Sequence, residues 1–387
     1  MQNRHKTLRE AARGCLLGGA VGDSLGGSTE GYPPEAIRER FGGWVTGIVG
    51  PFLEDWATAR PQSPLHKGDG HITDDTLMVL ALASVYRSRR RHLDAYDMAD
   101  GLVPEIADHV IYIPELERET VLQNRLFHAE KYLVHRLRHA NIDPREAGVG
   151  NVVNCGAAMY MSPVGIVNAG NPRRAYAEAI ELAGAHQSSY GREAAGVYAA
   201  AVAEAMAPDA SVESIVQAAL EVARDGTRDA VQAVTDAART VETWEDAIPV
   251  LREAVRPYDT VGETYRQPHP DARRPSRTKS IEELPVALGF LVACRGDCWQ
   301  TVLGGVNYGR DSDSIASMGG SIAGALQGEG AVPADLVRAI SHASRRDFIP
   351  VADDLAGVAQ EVLEADLRHA RHLAARMEGA GMRVGQG

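Results

Sequence analysis

Small apolar residues recur at helical spacing along most of the chain, and strand-like alternation is weak throughout. Residues 8–28 carry Gly14, Gly18, Gly22 and Gly26 at every fourth position of an otherwise apolar helical run. Each interior glycine costs a helix about 1 kcal/mol against alanine. A stripe of them is therefore expected where a second backbone packs closely. Gly320, Gly324 and Gly328 repeat the spacing near the other end of the chain. The two stripes predict neighbouring core helices with their polar ends side by side. A phosphate-binding glycine fingerprint is the rival reading, but no strand pattern precedes it.

The same periodicity predicts a helix from Asp75 to the arginines at 87–91, another ending at Gly184-Ala185-His186-Gln187, and an Ala-rich one from about Tyr190 to Met206. Further helices are expected over 283–293, over 299–306 and through the tail from Asp335 to Arg376. Residues 210–255 read as two solvent-facing amphipathic helices. Residues 93–148 read as helical, with many charges and no nameable chemistry. Two stretches break the pattern. Residues 40–70 are rich in Gly, Pro and aromatics and predict a long loop. Pro257–Lys279 is basic and contains prolines, with Arg266, Arg273, Arg274, Arg277 and Lys279, and reads as a lid or a solvated insertion. The expected fold is all-α: one compact multi-helix domain over 8–330, with insertions near 40–70 and 257–280, and a helical extension, 331–387, packed on it.

Composition sharpens this picture. Apolar residues make up 44% and aromatics only 5%, which favours closely packed helices over a β-sandwich. The formal net charge of −12 argues against a nucleic-acid-binding surface, though a single Arg or a helix start can still hold one phosphate. No apolar run reaches the length of a membrane span, and Met1–Glu10 is too polar for a signal peptide. A soluble, cytoplasmic protein is expected. Cys294 and Cys298 lie four apart, but no second Cys/His pair completes a zinc pattern, so Cys15, Cys155, Cys294 and Cys298 are expected to be free thiols.

The candidate chemistry lies at two helix starts. Thr73-Asp74-Asp75-Thr76 opens one apolar helix, and Arg310-Asp311-Ser312-Asp313-Ser314 opens another. Either alone is explained by capping, because Asp satisfies N–H groups at a helix start and suits its dipole. Together, four carboxylates would repel unless separated or neutralised. Two Mg²⁺ ions about 3.5–4 Å apart would relieve that repulsion. Thr73 and Ser314 add neutral oxygens, and Glu30 is either an extra ligand or a base acting on water. The second motif is no EF-hand, since neither the required Gly nor the Glu follows.

Four motifs in order, Gly14-x3-Gly18-x3-Gly22-Asp23, Thr73-Asp74-Asp75-Thr76, Gly156-Ala157-Ala158-Met159 with Pro163, and Asp311-x-Asp313-Ser314-Ile315, resemble the ADP-ribosylglycohydrolase family from about Leu8 to Gly328. The resemblance implies an all-α fold with a binuclear metal cleft, two Mg²⁺ ions (Mn²⁺ being the alternative), and cleavage of a ribosyl C1″ bond. Carried over, Thr73, Asp74, Asp75, Asp311, Asp313 and Ser314 are the metal ligands, and Glu30, Asp74 and Asp75 the catalytic acids or bases. Cys155, Gly156, Ala157, Tyr160, His186 and Arg310 fall at substrate-reading positions. The partner implied is a small-molecule or protein-linked ribosyl substrate.

The departures lie at those substrate positions. Cys155 stands where the family commonly has Asn, Tyr160 where it has Arg, and Arg310 where it has Gly. Ala185-His186-Gln187 replaces most of its Thr-His-x-His-Pro stretch. The metal ligands are kept while the substrate contacts change. An ADP-ribosyl substrate is the leading expectation and a smaller N-ribosyl compound the alternative. A metal phosphohydrolase and a non-catalytic ADP-ribose-binding relative are the remaining readings.

Overall fold

The computed structural model describes residues 6–59, 66–259 and 280–379. The basic stretch 260–279 lies outside them, and so does most of the insertion expected near 257–280. The architecture is all-α. Among the described residues the only sheet is a two-stranded antiparallel hairpin, Val110–Ile113 with Arg118–Val121.

At the centre, the helices Leu8–Gly26 and Ser312–Gln327 run antiparallel along their glycine stripes. A Cβ on Gly14 would overlap the backbone of Gly324, one on Gly18 that of Gly320, one on Gly22 that of Ala316, and one on Gly26 that of Asp313. The expected pairing is present, and it delivers the polar C-terminal end of the first helix to the acidic N-terminal end of the second. Around the pair, Cys298–Tyr308 packs Gly305 on Ala316, and Glu283–Ala293 packs Phe290 on Gly304. The Ala-rich helix Ser189–Ala205 is buried on most of its surface, with Tyr176 of Pro172–Gly184 resting on Gly196.

Three sequence expectations change. Residues 210–255 form three helices rather than two, Val212–Val222, Asp225–Ala238 and Trp244–Val255, because Ala223 turns extended and ends the first of them. The tail is broken into Ala334–Ser344 and Phe348–Gly379, with Arg345 in the left-handed region at φ 50° between them. Residues 93–148 hold the hairpin and several short helical turns rather than long helices.

The described residues of the long stretch after the first helix are pinned at several points. Asn307 donates to Val45 O and accepts from Val45 N, both at 2.8 Å, and Asp69 N donates to Val49 O at 2.8 Å. A short helix, Trp56–Ala59, interrupts it. The final helix lies on Leu8–Gly26, where Arg13 bonds both carboxylate oxygens of Asp353 at 2.8 and 2.9 Å.

Candidate metal-dependent active site

Three chain segments meet at the centre of the site. The helix Asp74–Arg89 is capped from outside its own acidic pair. The Thr73 hydroxyl accepts from Asp75 N at 3.3 Å, and Asp23 of the first helix accepts from the N–H groups of Thr73 and Thr76 at 3.0 and 3.2 Å. Thr73 also donates its hydroxyl to Asp23. The capping explanation for Asp74 and Asp75 is therefore taken up by Thr73 and Asp23. The carboxylate of Asp75 instead accepts from Ser317 Oγ at 3.1 Å, across to the Ser312–Gln327 helix, and that of Asp74 faces Arg125 at 3.4 Å. Asp311 occupies the cap position of its own helix without a capping side-chain bond.

Backbone pairing brings Glu30 alongside. Gly31 N donates to Arg310 O, and Arg310 N donates to Tyr32 O at 3.2 Å. Gly309 permits the approach at φ 72°, since any Cβ there would overlap Tyr32 O. Asp74, Asp75, Asp313 and Glu30 are all buried. Burial lifts the Asp74 carboxyl to about 6, with Arg125 and His66 drawing it back. Burial also lifts Asp75 well above the carboxylate range, and Asp313, Asp23, Asp74 and Asp311 add repulsion. Asp313 is lifted in the same way, by burial and then by Glu30. A pocket of hard oxygen donors carrying excess negative charge fits divalent cations of the Mg²⁺ or Mn²⁺ kind.

A second layer was not visible in the sequence. His66 Nε2 lies 2.6 Å from Glu30 Oε2 and 3.2 Å from Asp313 Oδ2, and its Nδ1 lies 2.8 Å from Arg125 Nη2. The carboxylates favour a second ring proton on His66. Guanidinium groups only donate, however, so Nδ1 must accept and the hydrogen sits on Nε2, facing Glu30. Glu115 completes the chain by accepting from Arg125 Nε and, at 3.0 Å, from Lys67 N. The hairpin region, which carried no nameable chemistry in the sequence, thus supplies the buried cation of the site. The only sequence signal for His66 is a polar ring in the loop ahead of Thr73. Glu115 and Arg125 carried none.

The residues expected to read substrate separate into three groups. Cys155 Sγ lies 3.1 Å from Asp311 Oδ2 and 3.3 Å from Ser314 Oγ, next to the acidic cluster. Its turn is held by Asn154, whose side chain accepts from Gly156 N at 3.0 Å and from Gln187 Nε2. A Cβ on Gly156 would press on Glu130 Oε1, so the turn, with Ala157 buried behind it, lies against that acid. Tyr160 and His186 are both fully buried and bond each other, OH to Nδ1, at 3.0 Å. Burial holds His186 down to about 4 and, with repulsion from Asp74, lifts Glu130 to about 8. Arg310 is buried in an ion-pair network, bonding Glu282 at 2.9 Å and Asp259 at 3.0 Å. Arg252 joins the same two acids at 2.9 Å.

The chain is an all-α protein with a buried carboxylate centre, and comparison with known proteins gives its family. The family profile described as ADP-ribosylglycohydrolase matches residues 4–365, and the chain belongs to that family. Membership makes it a hydrolase of the glycosidase type. It is 25% identical over 354 residues to YegU, an uncharacterized protein of Escherichia coli strain K12, covering 91% of this chain and 98% of that one. Among solved structures it resembles an ADP-ribosylglycohydrolase-related protein complex with a TM-score of 0.61 and 21% identity, covering 91% of this chain and 99% of that one. Among the described residues no helix is long and apolar enough to cross a membrane.

Proposed function

We propose that this chain is a divalent-metal-dependent glycohydrolase that cleaves the C1″ bond of an ADP-ribosyl substrate. The observation that carries the reading is the convergence of Asp74, Asp75, Asp311 and Asp313 from two helix starts, with Glu30 held beside them. Thr73, Asp74, Asp75, Asp311, Asp313 and Ser314 are assigned as the residues that would hold two divalent cations. Bound there, such cations would supply Lewis-acid polarisation of a water and orientation of a sugar. Breaking a ribosyl bond builds positive charge at C1″, which the surrounding carboxylates stabilise. Glu30 is the assigned base, since it accepts the Nε2 hydrogen of His66 and is thereby fixed in direction. Asp74 and Asp75 are the alternative proton acceptors. His186 is assigned to the wall of the cleft rather than to the leaving group, because its ring is fully buried and bonded to Tyr160.

A smaller N-ribosyl substrate is the second reading. It is favoured by Cys155, Tyr160 and Arg310, whose side chains are all engaged within the protein rather than free for a diphosphate.

Calorimetric titration of ADP-ribose into Mg²⁺-loaded protein, with ribose and adenosine as comparison ligands, tests both. Mg²⁺-dependent binding of ADP-ribose supports the first reading. Binding of adenosine or ribose without ADP-ribose supports the second. Phosphate release from ADP-ribose, in place of free ribose or ADP-ribose from a linked substrate, would replace both with a phosphohydrolase.

A further inference from the structure

The last helix, Phe348–Gly379, is 32 residues long and outruns the body it packs on. Its early turns bury Ala352, Ala356 and Ala359. Its furthest polar contact with the body, among the described residues, is Asp366, 3.1 Å from His92 Nε2. From Leu363 to Glu378 no residue is buried. That segment measures roughly 24 Å at 1.5 Å per residue. It is not polar all round. Steps of three and four carry the buried alanine row on to Leu363, Leu367, Ala370 and Ala374, with Leu373 beside it. Leu363 is 54% exposed, Leu367 45% and Leu373 49%. A single exposed leucine is ordinary, but three on one side of one helix, continuous with a core stripe, mark a surface that something covers.

Charge says what covers it. The near half of the segment carries Glu361, Glu364 and Asp366, and the far half Arg368, Arg371 and Arg376 with His369 and His372. A second copy laid antiparallel sets each acidic half against the other's basic half, whereas a parallel copy sets acid on acid and base on base. Centred on Ala370, the antiparallel pair brings Leu363 and Leu367 of one copy level with Met377 and Leu373 of the other, and the small Ala370 side chains let the helices approach at the crossing. A membrane surface is the poorer match, because acids as well as bases flank the stripe.

We propose that residues 363–378 form a self-association surface on which a second copy of this chain lies antiparallel, with Ala370 at the twofold axis. The proposal is independent of which ribosyl compound the active site accepts.

Sedimentation of the full-length protein over about 1–100 μM, the weak end of the range for protein interfaces, reads the association. A mass rising toward twice that of the chain is expected. Leu363→Gln with Leu367→Gln should weaken the dimer at least 10-fold while leaving the circular dichroism unchanged. Diamide oxidation reads the orientation. The four native cysteines are buried, so a thiol introduced on this segment is the exposed one. Ala370→Cys should form a covalent dimer, because a symmetric disulfide needs Cα atoms within about 7 Å. Met377→Cys should not, because its two copies would lie about 21 Å apart along the antiparallel pair. A wild type that stays monomeric overturns the proposal, whether another segment of the chain, a different protein or a lipid surface covers the stripe. A dimer that survives the leucine substitutions, or cysteines that cross-link equally at 370 and 377 or at neither, also overturns it. If a cysteine variant fails to fold, the wild-type mass and the leucine variant still decide.

Discussion

Arg125 Nη2 lies 2.8 Å from Nδ1 of His66, and that contact decides what His66 offers Glu30. An arginine N–H can only donate, so the opposite nitrogen, 2.6 Å from Glu30 Oε2, carries the hydrogen. A basic residue of the hairpin region thereby orients an acid more than ninety positions away in sequence.

The first prediction concerns that relay. His66→Ala should lower glycohydrolase turnover about 10–100-fold, the usual effect of removing a partner that orients a catalytic group. His66→Gln, which can accept from Arg125 and donate to Glu30, should recover part of the loss. Turnover equal to wild type in His66→Ala would show that Glu30 needs no orienting partner. Nitrogen chemical shifts of the His66 ring give the tautomer directly.

The second prediction follows from the lifted carboxylates. The Asp74 carboxyl has an ordinary value of 3.8 and is raised to about 6 in the fold. The folded state therefore holds this proton more tightly than the unfolded state. The stability it contributes is complete below pH 3.8 and is lost as pH rises through about 6. The loss is on the order of 1–3 kcal/mol in the metal-free protein. Saturating Mg²⁺ or Mn²⁺ should reverse the trend, because the ionised form is the one that binds. Urea denaturation at pH 5 and pH 7, with chelator and with metal, checks the sign. Stability that rises with pH in chelator would contradict it.

A third prediction separates ligands from neighbours. Asp311→Asn with Asp313→Asn should abolish measurable Mg²⁺ or Mn²⁺ binding by calorimetry. The same double variant should be at least as stable as wild type in chelator, since it removes two neighbouring like charges, that of Asp313 being buried. Unchanged metal affinity would remove these two residues from the ligand set.

The fourth prediction tests the helix pair. Gly18→Val would drive its side chain into the Gly320 backbone, which cannot move aside as a flexible side chain would. A loss of roughly 1–3 kcal/mol or more is expected from such overpacking. Gly47→Ala, where a Cβ meets nothing within 4 Å, is the matched control and should be close to neutral. Thermal unfolding of the two variants reads the difference.

A fifth prediction concerns a buried structural acid. Glu178 accepts from Tyr86 OH at 2.8 Å, Leu93 N at 2.7 Å and Asn168 Nδ2 at 2.8 Å, and pairs with His92 at 2.6 Å. Glu178→Ala leaves these donors without their acceptor and should cost about 2–4 kcal/mol. The bond to Glu178 raises His92 above its ordinary 6.5, with Asp366 a smaller contributor. That contribution is therefore complete below pH 6.5 and fades as pH rises through the folded value. A wild-type protein whose advantage over Glu178→Ala did not shrink above neutral pH would contradict the pairing.

Local pattern alone determined much of this protein. Glycines spaced by four can be tolerated in a core helix only where a second backbone replaces the missing side chains, so Gly14–Gly26 and Gly320–Gly328 announced their own pairing. The acidic residues at two helix starts were legible because their number exceeds what capping requires. The tertiary structure decided the rest. That Asp23 and Thr73 do the capping, leaving Asp74 and Asp75 for other partners, depends on how the first helix meets the acidic start at Thr73–Thr76. That His66, Arg125 and Glu115 serve the site depends on contacts between a loop and a hairpin region with no shared periodicity. Tyr160, His186 and Arg310 kept polar character in the sequence, and only burial disclosed that their partners are internal. Periodicity records which face of an element is covered. It does not record which polar group from a distant segment satisfies a buried charge, because that choice is made by hydrogen-bond geometry after the elements have packed.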